Sequence, residues 1–275
     1  MVRPTRFTCL WVHGVVIAAA LVSVGPLYWT VAASFKPQSE ILTTHLALVP
    51  RDLTLGNYQA LLTETSFARW FLNSLIVGLG TTGLALVFCT LGGFALAKYK
   101  FVGSRVIFFS IVVTAGIPQF VTIIPVFSLM VHLHLVNSYW ALILPFSANP
   151  LGIFLVRQYM VSIPSELLEA ARIDGCSEFG LFWRVVLPVA RPIVGAVGIF
   201  VFVHTWNQYF FPLIMVTSPE MQVLPVGVAS LSGFFFTQYG IIMAGAVLSV
   251  VPVMVIFFTM QRQFVAGLTQ GALKT

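Results

Sequence analysis

Ionisable residues are sparse in this sequence, and the densest mixture of acids and bases falls between Ser162 and Pro192. There the chain reads S-I-P-S-E-L-L-E-A-A-R-I-D-G-C-S-E-F-G-L-F-W-R-V-V-L-P-V-A-R-P, setting Glu166, Glu169, Asp174 and Glu178 against Arg172, Arg184 and Arg191. No cluster of nucleophile and base accompanies these charges, so the chemistry on offer is recognition rather than catalysis. Ser165 is a suitable N-cap, Glu166 and Glu169 fall near the positive end of a helix dipole, and Gly175 suits the C′ position. The spacing predicts a helix over 165–174, a glycine turn, and a second helix capped by Ser177 that ends before Pro188 and Pro192. Leu167, Ala170, Ala171 and Asp174 share a face at i, i+3, i+4, i+7. Such a small-residue face lets another protein approach closely; equally, a helix pair of this kind can rest on a bilayer surface.

Other chemistry-bearing residues are fewer. Gly78-Leu79-Gly80-Thr81-Thr82-Gly83 matches G-x-G-x-x-G, but no Asp or Glu occurs between Glu64 and Glu166 to hold a ribose. Inside an apolar run, these glycines read better as points of close helix approach. His132 and His134 lack a nearby carboxylate or cysteine to complete a metal site, and His204 falls where a neutral imidazole can bond a neighbouring helix. Cys9, Cys89 and Cys176 are too few and too scattered for a disulfide framework or a zinc site. Trp206, Asn207, Gln208, Tyr209, Phe210 and Phe211 offer amides for hydroxyl groups and aromatic faces for the C–H surface of a sugar. The same run also fits an interfacial aromatic belt with Asn207 bonding between helices. Asn149 and Gln238 are further pathway candidates.

The elements that must position these residues are membrane helices. Of 275 residues, 59% are hydrophobic and only 8% are charged, where a soluble domain carries about a quarter charged; mean hydropathy is +0.98. Apolar runs predict six spans at about 12–33, 70–96, 106–131, 139–156, 193–216 and 239–260, each able to cross a hydrocarbon core of about 30 Å. They leave an external loop over 34–69, a loop over 162–192 and a tail over 263–275, all in one membrane domain. The tail is too polar and glycine-rich to extend the last helix far.

Arg3, Arg6, Lys98, Lys100, Arg105, Arg157, Arg172, Arg184, Arg191, Arg262 and Lys274 fall on one side of this arrangement, against Lys36, Arg51 and Arg69 on the other. Basic residues are retained in the cytoplasm, so both termini and the 162–192 loop are expected there. The net charge of +6 therefore reflects orientation in a bilayer, not nucleic-acid binding. Span interiors hold essentially no Asp, Glu, Lys or Arg, which argues against a proton relay or a voltage sensor. With no G-x-x-x-x-G-K-[ST], ATP would have to be bound by another chain.

Glu169, Ala170, Ala171, Asp174, Gly175, Val185, Leu187 and Pro188 fit E-A-A-x-x-D-G followed after nine residues by a β-branched residue, x-L-P. This stretch resembles the EAA loop of permease subunits from binding-protein-dependent ABC importers. S-F-K-P at 34–37, N-S-L-I-V at 73–77, A-L-A-K-Y-K-F at 95–101, W-N-Q-Y-F-F-P-L-I at 206–214 and G-L-T-Q-G-A-L-K at 267–274 extend the likeness to the carbohydrate branch, of the maltose MalG type. Cys176 departs from the alanine usual there.

The resemblance implies an all-α polytopic permease of the bacterial inner membrane that imports a sugar or polyol. It implies partnership with a second permease, two ATPase subunits that bind ATP and Mg, and an external binding protein, with no cofactor on this chain. It also implies ATPase contact through the EAA residues and through Gly267, Leu268, Thr269, Gly271 and Lys274 of the tail. An ion-coupled secondary transporter, or the same architecture carrying a glycerol phosphodiester or a polyamine, are the alternatives.

Overall fold

The computed structural model describes residues 6–43, 48–233 and 237–269. These residues are mostly helical and form no strand. Among the described residues four runs are long and apolar enough to cross a membrane, Tyr139–Val161 counting as one despite its break at 148–149, or six if two sharply bent pairs each count as one span. The chain divides into two compact units: residues 1–68 with 227–251, and 69–226 with 252–275.

In the first unit the helix Arg6–Ser34 leads into a loop gathered by Asn57. The Asn57 side-chain amide donates to the carbonyls of Ser34 and Lys36, 2.8 Å each. Lys36 of the S-F-K-P motif is fully buried, with its ammonium 4.5 Å from the centre of the Trp29 ring. Gln38 then joins residues 237–240, donating to the carbonyl of Thr237 and accepting from the backbone of Gly240. The external loop expected over 34–69 thus contains short helices, Gln38–Ile41 and Gly56–Glu64.

The second unit is built on the helix Phe67–Lys98. At its start lies the N-S-L-I-V motif. Asn73, fully buried, donates to the carbonyls of Glu220 and Gln222 and accepts from the Tyr139 hydroxyl, all at 2.8 Å. Ser74 accepts from the backbone N–H of Leu224 at 2.7 Å. A buried amide this well satisfied fixes the loop 219–224 to the helix. Further along, two of the three glycines expected at close approaches face neighbours, a Cβ on Gly78 meeting Phe202 and one on Gly80 meeting Ile143, while Gly83 faces none.

Three expected spans are interrupted. The third, expected as one run over 106–131, is two helices, Ser104–Ala115 and Gln119–His132, bent by 107°. Gly116-Ile117-Pro118 accounts for the break, since Pro118 lacks an N–H and biases Ile117 away from the helical region. The fourth comprises Tyr139–Ser147 and Pro150–Val161. Asn149 caps the latter, its side chain accepting from Gly152 N–H at 2.8 Å, and Pro150 occupies the favoured first position. The fifth is Arg191–Trp206, then Phe210–Met215. The last helix, Tyr239–Thr269, continues well past the expected end at 260. A single glycine, Gly267, costs only about 1 kcal/mol there, and the polar tail residues up to Thr269 continue the helix rather than ending it.

Two apolar clusters fill the second unit. One gathers Val77, Met130, Leu142, Ile143, Phe211 and Met215. The other gathers Cys89 and Phe94 from Phe67–Lys98, Val156 and Met160 from Pro150–Val161, and Val197 and Val201 from Arg191–Trp206. In the latter, helix backbones come close at glycines. A Cβ on Gly93 would lie 2.6 Å from Val156 Cγ1 and 3.0 Å from the backbone nitrogen of Arg157, whereas one on Gly83 would meet nothing within 4 Å. Gly93→Ala is therefore expected to destabilise the protein by roughly 1–3 kcal/mol while Gly83→Ala leaves it unchanged or slightly firmer. Melting of the detergent-solubilised variants tests this; equal melting temperatures would show that the two helices do not need their close contact.

Candidate functional site

The loop 162–192 forms a folded unit. Its first helix is Ser165–Ile173. Pro164, not Ser165, occupies the N-cap position, and no side chain caps it. With φ fixed near −57° and no N–H to lose, the proline closes the preceding chain and leaves Ser165 as the first helical residue. At the other end the sequence expectation holds. Gly175 has φ +81°, Gly175 N–H donates to the Arg172 carbonyl at 3.0 Å, and Cys176 N–H donates to that of Ala171 at 2.9 Å. This is a Schellman motif, which needs glycine in the left-handed conformation. Ser177 then caps the next helix by accepting from Gly180 N–H at 3.2 Å. The chain continues as a π-helix over Leu181–Val186 and a short turn Leu187–Val189. The whole stretch Glu178–Val189 meets Arg191–Trp206 at 79°.

This unit is anchored on one side and open on the other. Leu168, Phe182, Val186 and Ala190 are buried with Phe94, Met160 and Ile163, and Leu187 packs against the same cluster. Glu169, Ala170, Asp174 and Gly175 are exposed, Ala171 and Pro188 half-buried. Leu167 and Ala170 lie outward as the spacing predicts. Sequence reading missed three large apolar neighbours: Ile173 is 86% exposed, Phe179 69% and Trp183 52%. The two aromatics pack edge to face, 6.0 Å between centres. Their i, i+4 spacing against the buried Leu181, Phe182 and Val186 was the available signal.

Charges lock the two helices together. Arg172 Nε donates to Glu178 Oε1 at 2.7 Å and Nη2 to Oε2 at 3.1 Å. The Tyr99 hydroxyl, just beyond the end of Phe67–Lys98, also donates to Glu178. These donors, the Arg172 guanidinium foremost, hold the Glu178 carboxyl down at about 2. Burial and the adjoining Glu178 carboxylate push the Tyr99 phenol up. Lys98 donates to the carbonyl of Ile163. Cys89 and Cys176 are free thiols.

A second place of interest is a cavity of about 840 Å³. Gln119, Phe120, His204, Asn207, Gln208 and Tyr209 line it together with Phe200, Phe210 and Phe257, and no lining residue is charged. Gln119 and Gln208 exchange amide hydrogen bonds of 3.2 Å each. Gln208 Nε2 also donates to His204 Nε2 at 2.8 Å. Gln119 opens the helix after one break and Gln208 sits in another, so two interrupted spans meet through these amides. Of the sequence-predicted pathway residues, Asn207, Gln208 and Tyr209 reach this cavity. Trp206 does not; only 3% exposed, it stacks on Phe202 and meets Phe71 edge on. Asn149 is occupied in capping. Gln119 and His204 were not singled out as pathway residues. In the tail, Gly267, Leu268 and Thr269 lie on the last helix, while Gly271 and Lys274 lie outside the described residues.

Residues 89–270 match the family described as the binding-protein-dependent transport system inner membrane component. The chain belongs to this family. Among curated proteins it is 39% identical over 252 residues to the arabinooligosaccharides transport system permease protein AraQ of Bacillus subtilis, covering 90% of each chain. It is 31% identical to the diacetylchitobiose uptake system permease protein NgcG of Streptomyces coelicolor, over 95% of this chain and 88% of that one. Among solved structures, a chain of a bacterial ABC transporter involved in import of the acidic polysaccharide alginate shares the fold with a TM-score of 0.86 at 23% identity, covering 96% of this chain and 100% of that one. As a member of this permease family the protein is a membrane-embedded subunit of an ABC importer, a transporter component and not an enzyme. The ion-coupled carrier considered from sequence is set aside by that membership.

The clamp on Glu178 has a pH signature. Because its carboxyl is held below the ordinary value of 4.5, the stabilisation is present above that value and is lost as pH falls toward about 2. Labelling of Cys176 by a maleimide is accordingly expected to change little across neutral pH through any loosening of the clamp, whereas Glu178→Gln raises the rate at pH 7 by about twofold, as suits an exposed pair. Identical labelling of variant and parent would show that the pair does not hold the turn.

Proposed function

We propose that the chain is one of two permease subunits of an ABC importer for a neutral oligosaccharide or related polyol, and that the exposed face of residues 165–189 is where its ATPase partners act. The observation carrying this reading is a loop anchored inward by buried side chains that presents large apolar residues among its charges outward. Leu168, Phe182 and Val186 root it in the helix cluster, while Ala170, Ile173, Phe179 and Trp183 remain exposed. A surface of that kind transmits force to the bundle because pushing on it moves the buried side chains behind it.

In this reading the loop and both termini face the cytoplasm of a bacterial inner membrane, in keeping with the distribution of Lys and Arg. The partners are a second permease, two ATPase subunits holding ATP and Mg, and an external binding protein that delivers the solute. Glu169, Ala170, Ala171, Asp174, Gly175, Leu187 and Pro188 form the ATPase-coupling set. The tail, Gly267, Leu268, Thr269, Gly271 and Lys274, reaches the ATPase as well. Closure of the nucleotide-bound ATPase pair pulls the loop, and the bundle changes from inward-open to outward-open.

The uncharged cavity supports a neutral solute. Amides of Gln119, Asn207 and Gln208 can exchange hydrogen bonds with hydroxyls, and the rings of Phe120, Tyr209 and Phe210 suit the C–H face of a pyranose or furanose. Relatives named for arabinooligosaccharides, galactooligosaccharides and diacetylchitobiose agree with that class.

Uptake by the whole complex in vesicles is expected to require ATP and to persist when ion gradients are collapsed. Gly175→Val and Glu169→Lys should reach the membrane yet lose both uptake and solute-stimulated ATP hydrolysis. Gln208→Ala should keep coupling but raise the half-saturating solute concentration roughly fivefold, the worth of about one hydrogen bond. Full coupling in both loop variants would refute the docking role.

A further inference from the structure

A second cavity, of about 630 Å³, opens where Phe67–Lys98 ends, Ser104–Ala115 begins and Pro150–Val161 passes. Lys98, Lys100, Arg105 and Arg157 all line it, and no carboxylate does. Orientation in the bilayer accounts for the side on which these bases lie, but not for their convergence on one cavity. Lys100 and Arg105 are exposed and form no ion pair among the described residues. Arg157 sets its guanidinium carbon over the Phe108 ring, 4.0 Å from the ring centre, and donates through Nη1 to Gln158 at 2.9 Å. Its Nε is buried without a hydrogen-bond partner, a state that costs free energy unless something else accepts the proton. Glu166 acts electrostatically on Lys98 from outside the lining, and Glu178 is already engaged by Arg172 and Tyr99.

Two further features point to the class of occupant. The helix Ser104–Ala115 starts in the cavity wall from Gly103, φ +86°, with no side-chain cap, so its positive end is open to an anion. Beside the basic residues the same elements expose Phe101, Val102, Val106 and Phe109. Cations at the ends of apolar helices, with apolar side chains continuing away from them, match an amphiphile with an anionic head and hydrocarbon chains. A free anion would leave that apolar border unused.

We propose that this cavity binds the phosphodiester headgroup of an anionic phospholipid, with the acyl chains lying along Val106 and Phe109. Basic pockets between membrane helices on the cytoplasmic side are suited to such headgroups. The inference rests on the membrane placement given above. Ser165, the first residue of the loop helix, also lines this cavity, and Lys98 holds Ile163 just before it. A bound headgroup would therefore steady the root of the ATPase-facing loop.

The test uses the whole transporter complex, purified through a tag on this chain and placed in nanodiscs with equal phosphatidylglycerol and phosphatidylethanolamine. Co-purified lipid is then measured by native mass spectrometry. The parent complex is expected to retain phosphatidylglycerol preferentially, and Lys100→Gln with Arg105→Gln, both at exposed positions, to lose about fivefold retention per charge removed. Millimolar inorganic phosphate should not displace the lipid. Equal retention of the two lipids by the parent, or the same preference in the double variant, overturns the proposal. So does displacement by phosphate, which would mark a free-anion site, or cross-linking of the Arg105→Cys variant to an ATPase chain in place of lipid. ATP-driven uptake in phosphatidylcholine vesicles should be unchanged by the double variant, so failure of the lipid site and failure of the importer reading give different results.

Discussion

An interrupted helix in hydrocarbon must have its freed backbone groups satisfied by protein, and much of this architecture answers that requirement. The chain breaks its spans at 116–118, at 148–149 and at 207–209. Asn149 meets one break with a side-chain cap on Gly152. Gln119 and Gln208 flank or occupy the other two, and each satisfies the other's amide. Because polar side chains are brought in to serve the breaks, the breaks are also where a polar solute finds partners. Asn207 does both, donating its side-chain amide to the Val203 carbonyl at 2.8 Å where Arg191–Trp206 ends and lining the 840 Å³ cavity beside Gln119 and Gln208.

The loop 162–192 obeys a different constraint. A short surface helix of nine residues has little stability of its own, so it must borrow rigidity. It does so through Leu168 in the apolar cluster, through the Schellman turn at Gly175 and through the Arg172, Tyr99 and Glu178 contacts. Tyr99 matters because it belongs to the end of another long helix. Through it the loop is tied to two parts of the bundle, and a displacement at Ala170 or Ile173 cannot be absorbed by the loop alone.

Sequence made the membrane class, the long apolar helices and the loop's helix, glycine turn and helix legible, because apolar runs, caps and glycines act locally. It did not disclose which polar residues serve structure and which face a cavity. Trp206 and Asn149 had the side chains a sugar would use, yet one is packed between rings and the other caps a helix. Gln119 attracted no notice because its role depends on the 107° bend that brings it to Gln208. The Gly116-Ile117-Pro118 signal for that bend was present, but it competed with an apolar run long enough to span. Ser165 lost its capping place to the proline before it, and the chain stayed helical as far as Thr269 because one glycine is a small penalty. Phe179 and Trp183 drew no expectation from sequence, and only the burial of Leu181, Phe182 and Val186 shows that the aromatics face outward.

How a push on the loop could alter a cavity far from it follows from one helix. Arg191–Trp206 has 16 residues, a rod of about 24 Å. Near one end Ile193, beside Ala190, is buried in the cluster that roots the loop, and His204 near the other end lines the cavity, with Asn207 and Gln208 just beyond. Over that length a tilt of about 10° displaces the far end by about 4 Å. This exceeds the tolerance of the 3.2 Å amide contacts between Gln119 and Gln208. The amide pair would then exchange its internal bonds for solute or water in one state and re-form them in the other. A neutral pair suits that exchange better than an ion pair, since separating charges in a low-dielectric bundle would cost far more than parting two amides. The absence of charge from the cavity wall and the abundance of charge on the loop are thus two consequences of one division of labour along a single rigid helix.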